Sequence, residues 1–95
     1  MTYKRRTDGN HSPITSALRQ AGYVVDDYSG IYKAGHPDIA YTRAGVRLYA
    51  DIKMPGESLR PEQVAWFEER GLEPLAVHDV DEAIDAHNRA LEKVA

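Results

Sequence analysis

The chain reads as a small α/β fold in which one mixed sheet is flanked by helices. Three observations lead there. Apolar residues recur at helical spacing towards both ends, in 11–21 and 80–94. Between them, 38–43 and 46–52 alternate apolar and polar residues across a two-residue link, Ala44-Gly45, as in a tight antiparallel hairpin. A further helical stretch, 61–70, follows that hairpin and precedes one more short strand-like run. The order is helix, three strands, helix, strand, helix, and a single sheet accommodates it.

Each element has a local reason. Residues 1–10 are polar, with a Lys4-Arg5-Arg6 cluster, and read as a mobile basic arm. In 11–21, Ser12 before Pro13 reads as an N-cap followed by proline at the first helical position. Ile14, Ala17, Leu18 and Ala21 form its apolar face, and Gly22 stops it. Residues 23–27, YVVDD, are a short strand. Tyr28 to Gly35 form a loop whose Tyr28, Tyr32 and Lys33 suit contact with a substrate. In 46–52, Val46, Leu48, Ala50 and Ile52 share one face, while Arg47, Tyr49, Asp51 and, just beyond, Lys53 share the other. Pro61 and Glu62 open the second helix, Val64, Trp66 and Phe67 give its apolar side, and Gly71 ends it. Residues 73–78 read as a strand. In the last helix Ala83, Ile84, Ala90, Leu91 and Val94 form the expected buried stripe.

Composition narrows the function. The 95 residues suit one domain, 1–95. No apolar run is long enough to span a membrane, and the basic N-terminus lacks the apolar core of a secretory signal. Cysteine is absent, which removes disulfides and thiolate zinc sites and fits a cytoplasmic protein. The four histidines show no HExxH-type spacing, so zinc hydrolysis has no support. Net charge is −3, but residues 1–60 carry nine Lys/Arg against six Asp/Glu, whereas 61–95 carry three against nine. The basic excess thus lies in the half that holds the hairpin, and the acidic last helix reads as a solvated face.

The hairpin also concentrates the chemistry. Pairing sets the start of 38–43 beside the end of 46–52, so Asp38 comes alongside Asp51 and Lys53. Two converging carboxylates repel each other unless a cation sits between them. Oxygen ligands of this kind suit Mg²⁺, with Mn²⁺ as a substitute, and both ions take further oxygens from water and phosphate. The Ile52 carbonyl is a candidate third ligand. Lys53 is placed to orient a nucleophile and stabilise developing charge. His36 reads as a loop residue shaping the approach to Asp38, and Trp66 and Phe67 read as core or a dimer face rather than base-stacking groups.

Pro37-Asp38 followed by Asp51-Ile52-Lys53 resembles the signature of the PD-(D/E)XK nuclease superfamily. The wider pattern is similar to its small stand-alone VRR-NUC domains: Asn10-His11 before a helix, Leu18-Arg19 with Gly22, Gly35-x-Pro37-Asp38, Asp51-x-Lys53, and Leu59-x-Pro61-Glu62-Gln63. The resemblance covers nearly the whole chain. It implies a restriction-endonuclease-like αβββαβ core with an extra C-terminal helix. It implies Asp38 and Asp51 as metal ligands, Lys53 as the catalytic lysine, and Gln63 beside the site, positioning water or phosphate. The implied activity is metal-dependent hydrolysis of phosphodiester bonds in branched or structured DNA, such as a junction or flap, in a bacterial or phage-infected cell. Cutting both strands of a junction needs two sites, hence an expected homodimer. One feature departs from the pattern: where relatives commonly carry a Glu in the first helix, this chain has Pro13. That departure keeps open an inactive DNA-binding module of the same fold.

Overall fold

The computed structural model describes residues 11–30 and 35–95. The expected basic arm, 1–10, and the loop residues Tyr32 and Lys33 lie outside them. The elements are α1 (His11–Gln20), β1 (Val24–Asp27), β2 (Ile39–Arg43), β3 (Val46–Ile52), α2 (Pro61–Glu69), β4 (Ala76–Val77) and α3 (Val80–Val94). Helices α2 and α3 start as expected, and α3 also ends as expected.

The four strands form one mixed sheet in the order β1-β2-β3-β4. β1 to β3 make an antiparallel meander, and β4 joins β3 in parallel. The hairpin turn works because Ala44 and Gly45 both adopt positive φ, 54° and 78°. Two such residues twist the link to match the strands, fixing the pairs Arg43↔Val46 through Ile39↔Ala50.

Helices cover both faces. Ile39, Tyr41, Ala50 and Ile52 point to one side and build the core with Ile14 and Leu18 of α1 and Ala83 of α3. The Tyr41 hydroxyl crosses that core to donate to the Ala83 carbonyl at 2.7 Å. By alternation Tyr49 and Asp51 point to the other side, where α2 meets them through Trp66 and Gln63.

Several boundaries differ from the sequence reading. α1 starts at His11, so Ser12 lies inside the helix rather than capping it. Pro13 is then the third helical residue, which is tolerated because first-turn N–H groups have no intrahelical acceptor. Tyr23 precedes β1 rather than opening it. Its N–H closes the end of α1 on the Leu18 carbonyl at 3.0 Å, around Gly22 at φ 94°. β4 has two residues rather than six. Pro74 lacks an N–H to pair with β3, so the chain joins the sheet only after it. In α3 the buried residues are Ala83, Ala86 and His87, whereas Val94 is 70% exposed. His87 is buried because its Nε2 reaches the Val46 carbonyl at 2.9 Å. The helix is capped by Asp79, whose carboxylate accepts from the Glu82 N–H. No helix among the described residues is long and apolar enough to cross a membrane.

Candidate functional site

The hairpin register brings the two carboxylates together. Ile39 faces Ala50, so one step further Asp38 faces Asp51 on the α2 side of the sheet. The contact is direct to the backbone: Ile52 donates its N–H to Asp38 Oδ2 at 2.9 Å. The Asp38 carboxylate thus takes the ladder place that the Pro37 carbonyl would have had. That carbonyl accepts from His36 Nδ1 at 2.8 Å instead. Pro37 itself has no N–H, so the ladder supplies no donor to the Ile52 carbonyl. The Pro-Asp pair therefore does two jobs, placing a carboxylate beside Asp51 and leaving a main-chain oxygen next to it.

Asp51 is fully buried, at 0% exposure. Its Oδ1 accepts from Gln63 Nε2 at 3.3 Å. Among the described residues its Oδ2 is buried without a hydrogen-bond partner. Burial pushes the Asp51 carboxyl up to about 7; the charge of Asp38 adds to this, and Lys53 and Arg60 oppose it. A buried, unsatisfied carboxylate beside a second one costs free energy in isolation. A cation would remove that cost.

Gln63 is aimed by its own helix start. Its Oε1 accepts the Arg60 N–H at 2.9 Å, and its N–H donates to the Arg60 carbonyl at 2.9 Å. With the amide oxygen committed to Arg60, the amide nitrogen must face Asp51. Gly35 sets the distance between this helix start and the Pro37-Asp38 segment. It has φ 95°, and a Cβ there would lie 2.8 Å from the Glu62 carbonyl oxygen. Only glycine meets both demands. Lys53, two residues after Asp51 on the same face, is 8% exposed.

Beyond the carboxylates, the same face carries rings and an ion pair. Trp66 packs on Tyr49 and on His36, with ring centroids 5.2 and 5.1 Å apart, and His36 packs on Tyr28 at 5.0 Å. Arg47 binds Asp26 at 2.7 Å and the Tyr28 hydroxyl at 2.6 Å. Phe67 is buried at 1% exposure within the protomer, so it is core and not dimer surface. His36 lies beside the Pro37-Asp38 segment, its Nδ1 donating to the Pro37 carbonyl. A cleft of about 190 Å³ opens beside β3 where β4 is cut short, and Arg47, Tyr49 and Phe67 line it together with Pro74, Leu75 and Ala90.

The structure thus brings Asp38, Asp51, the Ile52 backbone and Gln63 into one hydrogen-bonded group, with Lys53 on the same face by alternation. Among the described residues no group of three or more His, Cys, Asp or Glu side chains is placed to hold a metal ion. Pro13 adds no carboxylate, and the first turn of α1 has no acidic residue. Sequence reasoning missed the half-buried pair at that helix start, His11 Nε2 with Asp27 Oδ2 at 2.9 Å. Burial raises the Asp27 carboxyl, but the bonds from His11 and Ser29 outweigh it and hold the group below the usual range. It also missed Arg60, which acts electrostatically on both Asp38 and Asp51.

No protein-family model matches the chain, and no curated protein or solved structure is significantly similar to it.

Proposed function

We propose that this chain is a divalent-metal-dependent DNA endonuclease with a restriction-endonuclease-like core of the PD-(D/E)XK type. The observation that carries the reading is the buried, unpartnered Asp51 Oδ2 beside Asp38. The antiparallel meander followed by a helical crossover to a parallel strand supports the fold assignment.

The donor set fits Mg²⁺ or Mn²⁺. Asp38, Asp51 and the Ile52 carbonyl are hard oxygen donors, and few protein ligands suit ions that keep several waters. When bound, such an ion neutralises phosphate charge and acidifies water. The remaining roles belong to side chains. Lys53 holds the attacking water near the phosphodiester and stabilises charge that develops on it. Gln63, locked by Arg60, keeps Asp51 in one rotamer and presents an amide to the site. The low polarity around Asp51 strengthens each of these interactions.

The substrate is proposed to be branched or structured DNA, a junction or flap, in the cytoplasm of a bacterial or phage-infected cell. A homodimer would supply the two sites needed to cut both strands. A second reading keeps the fold and DNA binding without cleavage; it is favoured by the carboxylate that Pro13 does not provide.

A cleavage assay on four-way junction, flap and linear duplex, each with Mg²⁺ or Mn²⁺, separates these readings. Metal-dependent cutting that Asp51→Asn and Lys53→Ala reduce by at least about a hundredfold supports the nuclease. Binding without cutting in either metal supports the second reading. Wild-type cleavage rates in Asp51→Asn overturn the site assignment.

A further inference from the structure

The strongest unused feature beside the carboxylates is the ion pair at the start of α2. Arg60 immediately precedes the helix, and its backbone is joined through Gln63 to Asp51. The same helix turn abuts Gly35, three residues before Asp38. Arg60 is therefore fixed at its base to both strands of the site. Its side chain is 59% exposed, and its Nε donates to Glu62 Oε2 at 2.8 Å. Glu62 is itself 47% exposed.

We propose that Arg60 is the phosphate-contacting residue of this site, kept off the Asp38–Asp51 pair by Glu62 until a phosphodiester replaces that partner. The inference rests on the nuclease reading and names how the site engages its substrate.

The Arg60 guanidinium is electrostatically coupled to both carboxylates, and turned onto them it would compete with a metal ion. Glu62 gives it another partner two residues away, leaving the carboxylates for the cation. An exposed ion pair is weak, because water screens it and both side chains lose freedom to make it. A DNA phosphodiester offers the same guanidinium a bidentate acceptor within a backbone of high charge density, where counterion release favours the exchange from Glu62 to phosphate. The backbone bonds that aim Gln63 do not use the Arg60 side chain, so a substitution there leaves Asp51 held.

This predicts opposite effects on the two ligands. The test uses a fluorescently labelled four-way DNA junction, with anisotropy in Ca²⁺ over about 50–200 mM salt, and a separate Mn²⁺ titration of the protein alone. Arg60→Ala is expected to weaken junction binding about tenfold and to lower the salt slope by about one. Its Mn²⁺ affinity is expected to hold or rise, since a nearby cation has gone. Arg60→Lys should recover part of the DNA affinity, and Glu62→Gln should bind the junction severalfold more tightly. Unchanged DNA affinity and slope in Arg60→Ala overturn the proposal while leaving the nuclease reading intact. Parallel loss of Mn²⁺ and DNA binding also overturns it, because the side chain would then only support the fold. If the wild-type protein neither binds nor cuts DNA, the functional reading fails and this inference with it. Should Arg60→Ala not fold, Arg60→Gln and Glu62→Gln carry the same test.

Discussion

The two faces of the sheet are built from the same strands and have opposite chemistry. On the α1/α3 face, Ile39, Tyr41, Ala50 and Ile52 meet Ile14, Leu18 and Ala83, and the buried Tyr41 hydroxyl has its acceptor. On the α2 face the alternate residues are Asp26, Arg47, Tyr49 and Asp51, and one buried carboxylate oxygen has no partner among the described residues. The first face stabilises the fold. The second gives up stability to hold charge in a fixed place, as expected where a site trades packing for binding.

Substitutions on the two faces should therefore have opposite signs. The largest effect is expected on the first. Leu18→Ala empties a fully buried position and should cost about 2–5 kcal/mol in urea denaturation. Asp51→Asn, on the second face, should stabilise the metal-free protein. The folded carboxyl sits near 7, above its ordinary 3.8. The folded state therefore binds the proton more tightly, and wild-type stability falls as pH rises from about 4 through about 7. The gain from Asp51→Asn should be small at about pH 4 and reach on the order of a few kcal/mol above about pH 8. A destabilised Asp51→Asn at high pH would erase the contrast between the faces.

Smaller effects sharpen it. Tyr41→Phe leaves the Ala83 carbonyl without that donor and should cost about 1–2 kcal/mol. The smallest is expected at the rim, where His78 bonds the Glu57 carbonyl and Glu82, each at 2.9 Å. The Glu57 carbonyl, and then Glu82, raise the His78 pKa above its ordinary 6.5. That contribution is fully present below about 6.5 and is lost as pH rises through the folded value. His78→Gln should lower the thermal midpoint slightly at about pH 5.5 and leave it unchanged at about pH 9, with the difference shrinking in salt.

What was legible in the sequence follows the range of each interaction. The Ala44-Gly45 turn fixes a register, and the register alone places Asp38 against Asp51. Pro61 marked the start of α2, and Gly71 follows closely on its end, so Gln63 landed where it was expected. Contacts between distant segments were not legible. His11 and Asp27 are separated by a turn and a strand. The depth of His87 was not legible because its partner, the Val46 carbonyl, is a backbone atom 41 residues away. Strand β4 was overestimated because apolar spacing around Pro74 outweighed the missing N–H. Arg60 was overlooked because an arginine before a helix carries no pattern; only its electrostatic coupling to both carboxylates marks it.

The central claim is that the α2 face holds a divalent cation on Asp38, Asp51 and the Ile52 carbonyl. Mn²⁺ titration followed by electron paramagnetic resonance tests it without reference to any substrate. The expected result is a saturable site in the wild-type protein that disappears in Asp51→Asn while the fold is retained and the metal-free thermal midpoint is not lowered. A saturable site that survives Asp51→Asn unchanged, or no site at millimolar Mn²⁺, would contradict it.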